Sequence, residues 1–265
     1  MRVPRAQRWQ AGLGKGWRVF ATGLSFVLFG LGGAAIALMM YAFVYPAPLA
    51  KEKKRACARA AVSRTFRLFI ALMRGLGLLS YELRGQERLR PGQLVIANHP
   101  SLLDVVFLIA LIENANCIVK SSLWRNPFTR GPVTAAGYIA NDHEQLIAAC
   151  AASLRSGDAL IVFPEGTRSR PGRPLKFLRG TAHVALAADC DITPVLIRCE
   201  PATLLKRQKW YRVPDQVPHF TVEILPDISI APYRAAAKTT PGRAARELTT
   251  VLERFYHDRY FAACP

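Results

Sequence analysis

A chain of 265 residues with 36 Lys and Arg against 18 Asp and Glu carries a formal charge of +18, and 51% of its residues are hydrophobic. That length accommodates one large α/β domain plus an appendage and can bury a core without disulfide or metal staples. The charge excludes an acidic, solvating chain and points to a polyanionic partner, nucleic acid or an anionic membrane face. Six cysteines lie scattered without a C-x-x-C pair, which argues against a structural zinc site and suits a reducing compartment.

From Val19 to Tyr45 no residue is charged. A run of about 27 positions spans roughly 40 Å as a helix, more than a bilayer core requires. This predicts a membrane segment and makes lipid, rather than nucleic acid, the expected polyanion. Arg2, Arg5, Arg8, Lys15 and Arg18 precede it and Lys51, Lys53, Lys54, Arg55 and Arg59 follow, so the flanking charge selects no orientation. The glycines at residues 30–33 offer a bend that would leave both flanks on one face. A simple span, a shallow hairpin and a tilted, half-inserted helix all remain open.

Residues 56–79 predict a second helix, with Arg59, Ser63, Arg64, Arg67 and Arg74 on one arc and Val62, Phe66, Phe69, Leu72, Met73 and Leu76 opposite. Such a helix suits the headgroup region or the surface of the following domain. Residues 1–79 are thus read as membrane-anchoring helices and residues 80–265 as an α/β domain. In that domain, strands are expected at 81–84, 94–97, 117–120, 159–163, 192–199 and 220–225, and helices at 101–113, 143–155 and 177–188. Asp142 is the expected N-cap of the 143–155 helix, with Gln145 three residues on. A last helix opens at Pro241, with Leu248, Val251, Leu252 and Phe255 at core spacing. The alternation predicts a largely parallel mixed sheet flanked by helices.

Two stretches carry chemistry. In Asn98-His99-Pro100-Ser101-Leu102-Leu103-Asp104 a strand gives way to a helix. The residue before a proline is pushed towards extended backbone, so His99 is a loop residue and Asp104 falls in the first turns of the helix. On one continuous helix the two side chains would point roughly 140° apart; the break is what lets Asp104 reach His99. A carboxylate on one imidazole nitrogen fixes the tautomer and stabilises the imidazolium when the other nitrogen takes a proton. No G-x-S-x-G elbow accompanies the pair, so the nucleophile is expected to come from the substrate. The plain alternative is a capped helix start beside an ordinary loop histidine.

The second stretch, Pro164-Glu165-Gly166-Thr167-Arg168-Ser169, follows the 159–163 strand. Ligands of open α/β sheets gather beyond the carboxyl ends of strands, where this loop would lie. Gly166 allows close backbone approach, and Arg168 offers a planar fork for phosphate or carboxylate. Glu165 could accept from a hydroxyl or hold Arg168; a tight turn with a surface ion pair is the alternative.

Together these stretches resemble the glycerolipid acyltransferase family typified by 1-acylglycerol-3-phosphate acyltransferases. His99 and Asp104 match its H-x-x-x-x-D motif, and Phe163 through Ser169 match F-P-E-G-T-R-S in full. Lys120-Ser121-Ser122-Leu123-Trp124 and Gly137-Tyr138-Ile139 match the lysine-led strand end and the G-x-I block between them, and Ile192-Thr193-Pro194-Val195 loosely matches the fourth block. Lys176 and Gly180 fall where the family has a helix start containing lysine and glycine. After the G-x-I block, however, the family usually has an arginine for glycerol phosphate, and this chain reads Ala140-Asn141-Asp142-His143.

The resemblance implies a membrane-bound O-acyltransferase using an acyl-CoA or acyl-carrier-protein thioester as co-substrate, with no metal or bound cofactor. His99 would be the general base and Asp104 its orienting carboxylate, while Lys120, Gly137, Glu165, Gly166, Thr167 and Arg168 would contact substrate. Membrane lipids would be the partners, nucleic acid would not, and the domain would sit on the cytoplasmic side of the inner membrane. The missing arginine leaves open a specialised, non-glycerophosphate lipid acceptor. A non-enzymatic lipid or nucleic-acid binder is motivated by the charge and by the basic, aromatic run Lys206-Arg207-Gln208-Lys209-Trp210-Tyr211-Arg212, and a hydrolase using water is the third possibility.

Overall fold

A computed structural model of the protein describes residues 14–262; Arg2, Arg5, Arg8 and Cys264 lie outside them. The uncharged run forms α1 (Lys15–Met39), which continues through a wider turn at Met40–Val44. The chain reverses over residues 45–50, where Pro46 and Pro48 lack the N–H that a helix needs, and returns as α2 (Lys51–Gly75). There follow β1 (Ser80–Arg84), β2 (Leu94–Ala97), α3 (Asp104–Leu111), β3 (Ala115–Val119), α4 (Pro127–Ala135) and β4 (Ile139–Ala140). The chain then forms α5 (Leu146–Arg155), β5 (Ala159–Val162), α6 (Gly180–Ala188), β6 (Ile192–Glu200), β7 (His219–Ile224), α7 (Arg234–Thr239) and α8 (Pro241–Ala262).

Seven strands form one sheet in the order β1-β7-β6-β2-β5-β3-β4. Every pair is parallel except β6 with β7, as the alternation of strands and helices predicts. Successive residues of a strand point to opposite faces, and β2 shows the consequence directly. Val95 and Ala97 join a core shared with α1 to α4, whereas Leu94 and Ile96 join a second core under α5, α6 and α8. A sheet covered on both faces needs apolar residues at consecutive positions, which is why β2 and β5 read as unbroken apolar runs.

The structure departs from sequence expectation in several places. No bend occurs at residues 30–33; those glycines serve close packing instead. A Cβ on Gly33 would lie 2.2 Å from the carbonyl oxygen of Phe128 in α4, and one on Gly131 would lie 2.4 Å from Cβ of Ala37. Further along, the Trp210 ring packs where a Cβ of Gly23 would sit, and Arg18 Nη2 donates to the Asp215 carbonyl at 2.8 Å. One side of α1 therefore lies along the domain over most of its length, while Phe20, Val27, Leu31, Leu38, Tyr41 and Phe43 are exposed on the other.

On α2 the arginine stripe divides. Arg64, Arg67 and Arg74 are exposed, but Arg59 and Ser63 turn inward. Arg59, 3% exposed, donates to the Ala136 carbonyl and pairs with Asp158 at 2.7 Å. Burying a guanidinium is tolerable because a carboxylate and carbonyls satisfy it. Asp142 does not cap α5: that helix begins at Leu146, with Gln145 before it, because residues 141–145 form turns. On α8 the buried stripe is Ala245, Leu248, Leu252 and Tyr256, and Val251 is exposed.

Candidate active site

The parallel strands β2, β5 and β3 end at one edge of the sheet, and β6 runs past β2 at the same edge. His99 leaves the end of β2. Its neighbour Asn98 continues the pairing with side-chain atoms: Nδ2 donates to the Ile197 carbonyl and Oδ1 accepts from the Ile197 N–H, both at 2.8 Å. Tyr256 of α8 adds a tie beneath, donating its hydroxyl to the Ile96 carbonyl at 2.7 Å and accepting from Val195 N at 3.1 Å. The strand end that carries His99 is thus held from both sides.

Pro100 leads into a turn, and α3 begins at Asp104 itself. Asp104 Oδ2 lies 2.8 Å from His99 Nδ1 and accepts from Ser101 N at 2.7 Å. An ionised carboxylate only accepts, so this contact places the proton on Nδ1 and leaves Nε2 as a lone pair. Asp104 is fully buried, and burial pushes its carboxyl pKa up. The His99 bond, the Ser101 N–H and the Arg168 charge oppose that shift.

The Pro164–Ser169 loop closes over the histidine from β5. Ser169 N donates to the His99 carbonyl at 2.7 Å, and Glu165 Oε1 accepts from His99 N at 3.1 Å and from Ser169 Oγ at 2.5 Å. Burial raises the Glu165 pKa, against these two hydrogen bonds. The Phe163 ring stacks on the imidazole at 4.3 Å between centroids. Gly166 has φ of +63°, and a Cβ there would meet Leu178 at 2.7 Å, so only glycine fits this turn without displacement.

Of the residues read from sequence, His99, Asp104, Glu165 and Arg168 come together at this edge. Arg168, however, is committed within the protein: its Nη1 donates to the carbonyls of Leu204 and Leu205 at 2.7 and 3.1 Å. Thr167 is exposed at the loop tip, where its hydroxyl accepts from Lys206 Nζ at 2.6 Å. Lys120 follows β3, two strands from β2, and is exposed. Gly137 precedes β4 and so lies towards the amino ends of the strands, where a Cβ would meet Arg55 at 2.9 Å. Asn98 and Tyr256 have no sequence signal of their own, since each acts through backbone groups distant in the chain.

Beside the dyad lies an apolar cavity of about 530 Å³ between α1, α2, α3 and α4. Leu102, Leu103, Val105 and Val106, from the turn and helix that carry Asp104, line it, as do Phe29, Val62, Phe66 and Leu204. A volume of that size lies within the range of ligand pockets.

A histidine hydrogen-bonded to a buried carboxylate at the carboxyl ends of parallel strands is an arrangement chemically able to take a proton from a hydroxyl. Residues 80–198 match the family model described as Acyltransferase. The chain is 34% identical over 113 residues to a 1-acyl-sn-glycerol-3-phosphate acyltransferase of Helicobacter pylori, covering 40% of this chain and 48% of that one. It is 32% identical over 157 residues to one from Limnanthes douglasii, covering 56% and 54%. The chain thus spans about half the length of these curated relatives. The crystal structure of the 1-acyl-sn-glycerophosphate (LPA) acyltransferase PlsC from Thermotoga maritima has the same fold, with a TM-score of 0.66 over 92% of this chain and 96% of that one at 16% identity.

Proposed function

We propose that the protein is a membrane-associated O-acyltransferase that moves an acyl group from an acyl-CoA or acyl-carrier-protein thioester to a hydroxyl of a lysophospholipid-like acceptor. The observation that carries this reading is the 2.8 Å bond between His99 Nδ1 and Asp104 Oδ2, on a turn whose next residues line the apolar cavity. The cavity takes the acyl chain, and the turn and helix that carry the dyad form part of its wall. His99 Nε2 accepts the proton of the acceptor hydroxyl as its oxygen attacks the thioester carbonyl. The tetrahedral intermediate collapses with loss of the thiolate, which takes the proton from His99. The ester and the free thiol are the products, and no acyl-enzyme forms. Asp104 stabilises the imidazolium between the two transfers.

The exposed apolar side of α1 provides the membrane contact. Because its other side is packed on the domain, α1 lies in the interface rather than crossing it alone, and Arg64, Arg67 and Arg74 of α2 face headgroups. Thioester donors are cytoplasmic, which sets the domain on that side. The missing arginine after Gly137 favours a second acceptor class, a lipid without glycerol phosphate. A panel of lysophosphatidic acid, other lysophospholipids and monoacylglycerol with oleoyl-CoA separates the two. His99→Ala abolishes transfer while membrane association persists; an acylated product from that variant would refute the base assignment, and free fatty acid from the wild type would indicate hydrolysis.

A further inference from the structure

The loop after β6 is not part of the motif stretches, yet it is fastened to both of them. Leu102 N, in the turn between His99 and Asp104, donates to the Leu204 carbonyl at 3.3 Å. Arg168 holds the carbonyls of Leu204 and Leu205. Gln208 closes the next turn, its Oε1 accepting from Leu205 N at 2.8 Å and its Nε2 donating to the Arg212 carbonyl at 3.0 Å. Leu204 and Arg207 are held at φ of 51° and 66°, in the left-handed region that non-glycine residues seldom occupy without such ties. A freely solvated basic patch has no need of this scaffolding.

What the scaffold presents is Lys206. Its ammonium has three donors, of which one is spent on Thr167 Oγ1 at 2.6 Å. Two donors and the Thr167 hydroxyl remain for an incoming oxyanion at the tip of the Pro164–Ser169 loop. Arg207, Lys209 and Arg212 add positive field, and the acid that follows them, Asp215, is paired with Lys15. Arg168, which the resemblance assigns to substrate, spends Nη1 on holding this loop in place. The loop therefore brings a cation to the site in a chain that lacks one after Gly137.

We propose that Lys206 with Thr167 forms a phosphate-recognition site at the mouth of the catalytic edge, presented by the β6 loop and held there by Arg168. This rests on the transferase reading above. The ligand is a phosphate group of one of the two co-substrates, the phosphomonoester of the acceptor or a phosphate of the thioester carrier.

The test uses the full-length protein in detergent micelles with lysophosphatidic acid and oleoyl-CoA, comparing wild type, Lys206→Ala and Lys206→Arg. Loss of a charge-assisted hydrogen bond at an exposed site raises KM on the order of tenfold, with a much smaller change in kcat. A rise in acceptor KM assigns the site to the acceptor, a rise in donor KM assigns it to the carrier, and Lys206→Arg recovers most of the loss in either case. Unchanged KM for both substrates, or equal losses in the Ala and Arg variants, overturns the proposal. If the wild type transfers nothing, the transferase reading fails separately. Binding to micelles carrying lysophosphatidic acid or phosphate-free monoacylglycerol then decides: a preference for the phosphate-bearing micelle that Lys206→Ala abolishes supports the site, and a preference that persists refutes it.

Discussion

Replacing Asp104 by Asn tests the dyad most directly, because shape is kept and one buried charge is removed. In the native site Oδ2 accepts both hydrogen bonds and Oδ1 has no hydrogen-bond partner. The amide oxygen of Asn can take the place of Oδ2, so both bonds survive and the amide nitrogen occupies the position of Oδ1. What disappears is the attraction between carboxylate and imidazolium. The side chains of His99 and Asp104 are 17% and 0% exposed, so solvent screens the pair little. Unit charges about 4 Å apart attract by about 4 kcal/mol at an effective dielectric of 20. Losing most of that lowers kcat roughly 100- to 1,000-fold, within the usual range for general-base catalysis. Stability moves the other way. Burial raises the Asp104 pKa, so the folded protein holds that proton to a higher pH than the unfolded chain, and ionising the group costs stability as pH climbs through and above the ordinary carboxylate range. The variant lacks that cost, so its Tm equals or exceeds the wild-type value at neutral pH, and this difference vanishes in acid. Thiol release from oleoyl-CoA measures the rate and thermal unfolding in detergent measures the rest. A kcat within tenfold of wild type would refute the electrostatic role, and a collapsed Tm would make Asp104 a structural residue.

Glu165→Gln keeps the oxygen that accepts from Ser169 Oγ and His99 N but removes a second, half-buried charge whose pKa burial has raised. By the same sign argument its Tm is no lower than wild type at pH 7, with no difference below roughly pH 4; a thermal melt series across pH checks this. Arg59→Met leaves Asp158 without its charged partner, with only the Asn114 and Ser153 hydrogen bonds, and destabilises the protein by about 3 kcal/mol, measured by denaturant unfolding; a loss under about 1 kcal/mol would show that the pair does not tie α2 to the sheet. Val62→Phe projects a ring into the apolar cavity. It shifts donor preference towards shorter acyl chains in competition assays, and an unchanged chain-length profile would remove the cavity from acyl binding.

The sheet was legible because a strand covered on both faces writes itself as an unbroken apolar run, as Leu94–Ala97 and Ala159–Val162 do. Among the named elements, β4, α4 and α7 have no counterpart in the sequence reading: the two residues of β4 and the six of α7 are too short to show a period, and Pro132 inside the nine-residue α4 masks its helical pattern. Arg59 and Ser63 depart from the arc on α2 that the sequence suggests, because arginines at helical spacing look like a solvated face. The partner that lets Arg59 turn inward, Asp158, stands before β5 and acquires meaning only when the chain folds.

The same distinction separates the parts of the site. His99 and Asp104 are five residues apart, and Glu165 and Ser169 four, so each turn fixes its own geometry and the motif survives as a readable string. Thr167 and Lys206 are 39 residues apart, one following β5 and the other in the loop that leaves β6, two strands away. Leu102 and Leu103 of the turn between His99 and Asp104, with Val106 of α3, line the cavity together with Phe29 of α1 and Val62 of α2, elements far apart in sequence. Proton transfer needs atoms placed to within a hydrogen bond, which a short turn supplies locally. Headgroup and chain selection need walls on several sides of a substrate, and walls come from separate elements. A sequence motif therefore reports the His–Asp geometry, while the sites proposed here for acceptor and acyl chain are built from α1, α2 and the β6 loop, where the motif has nothing to say.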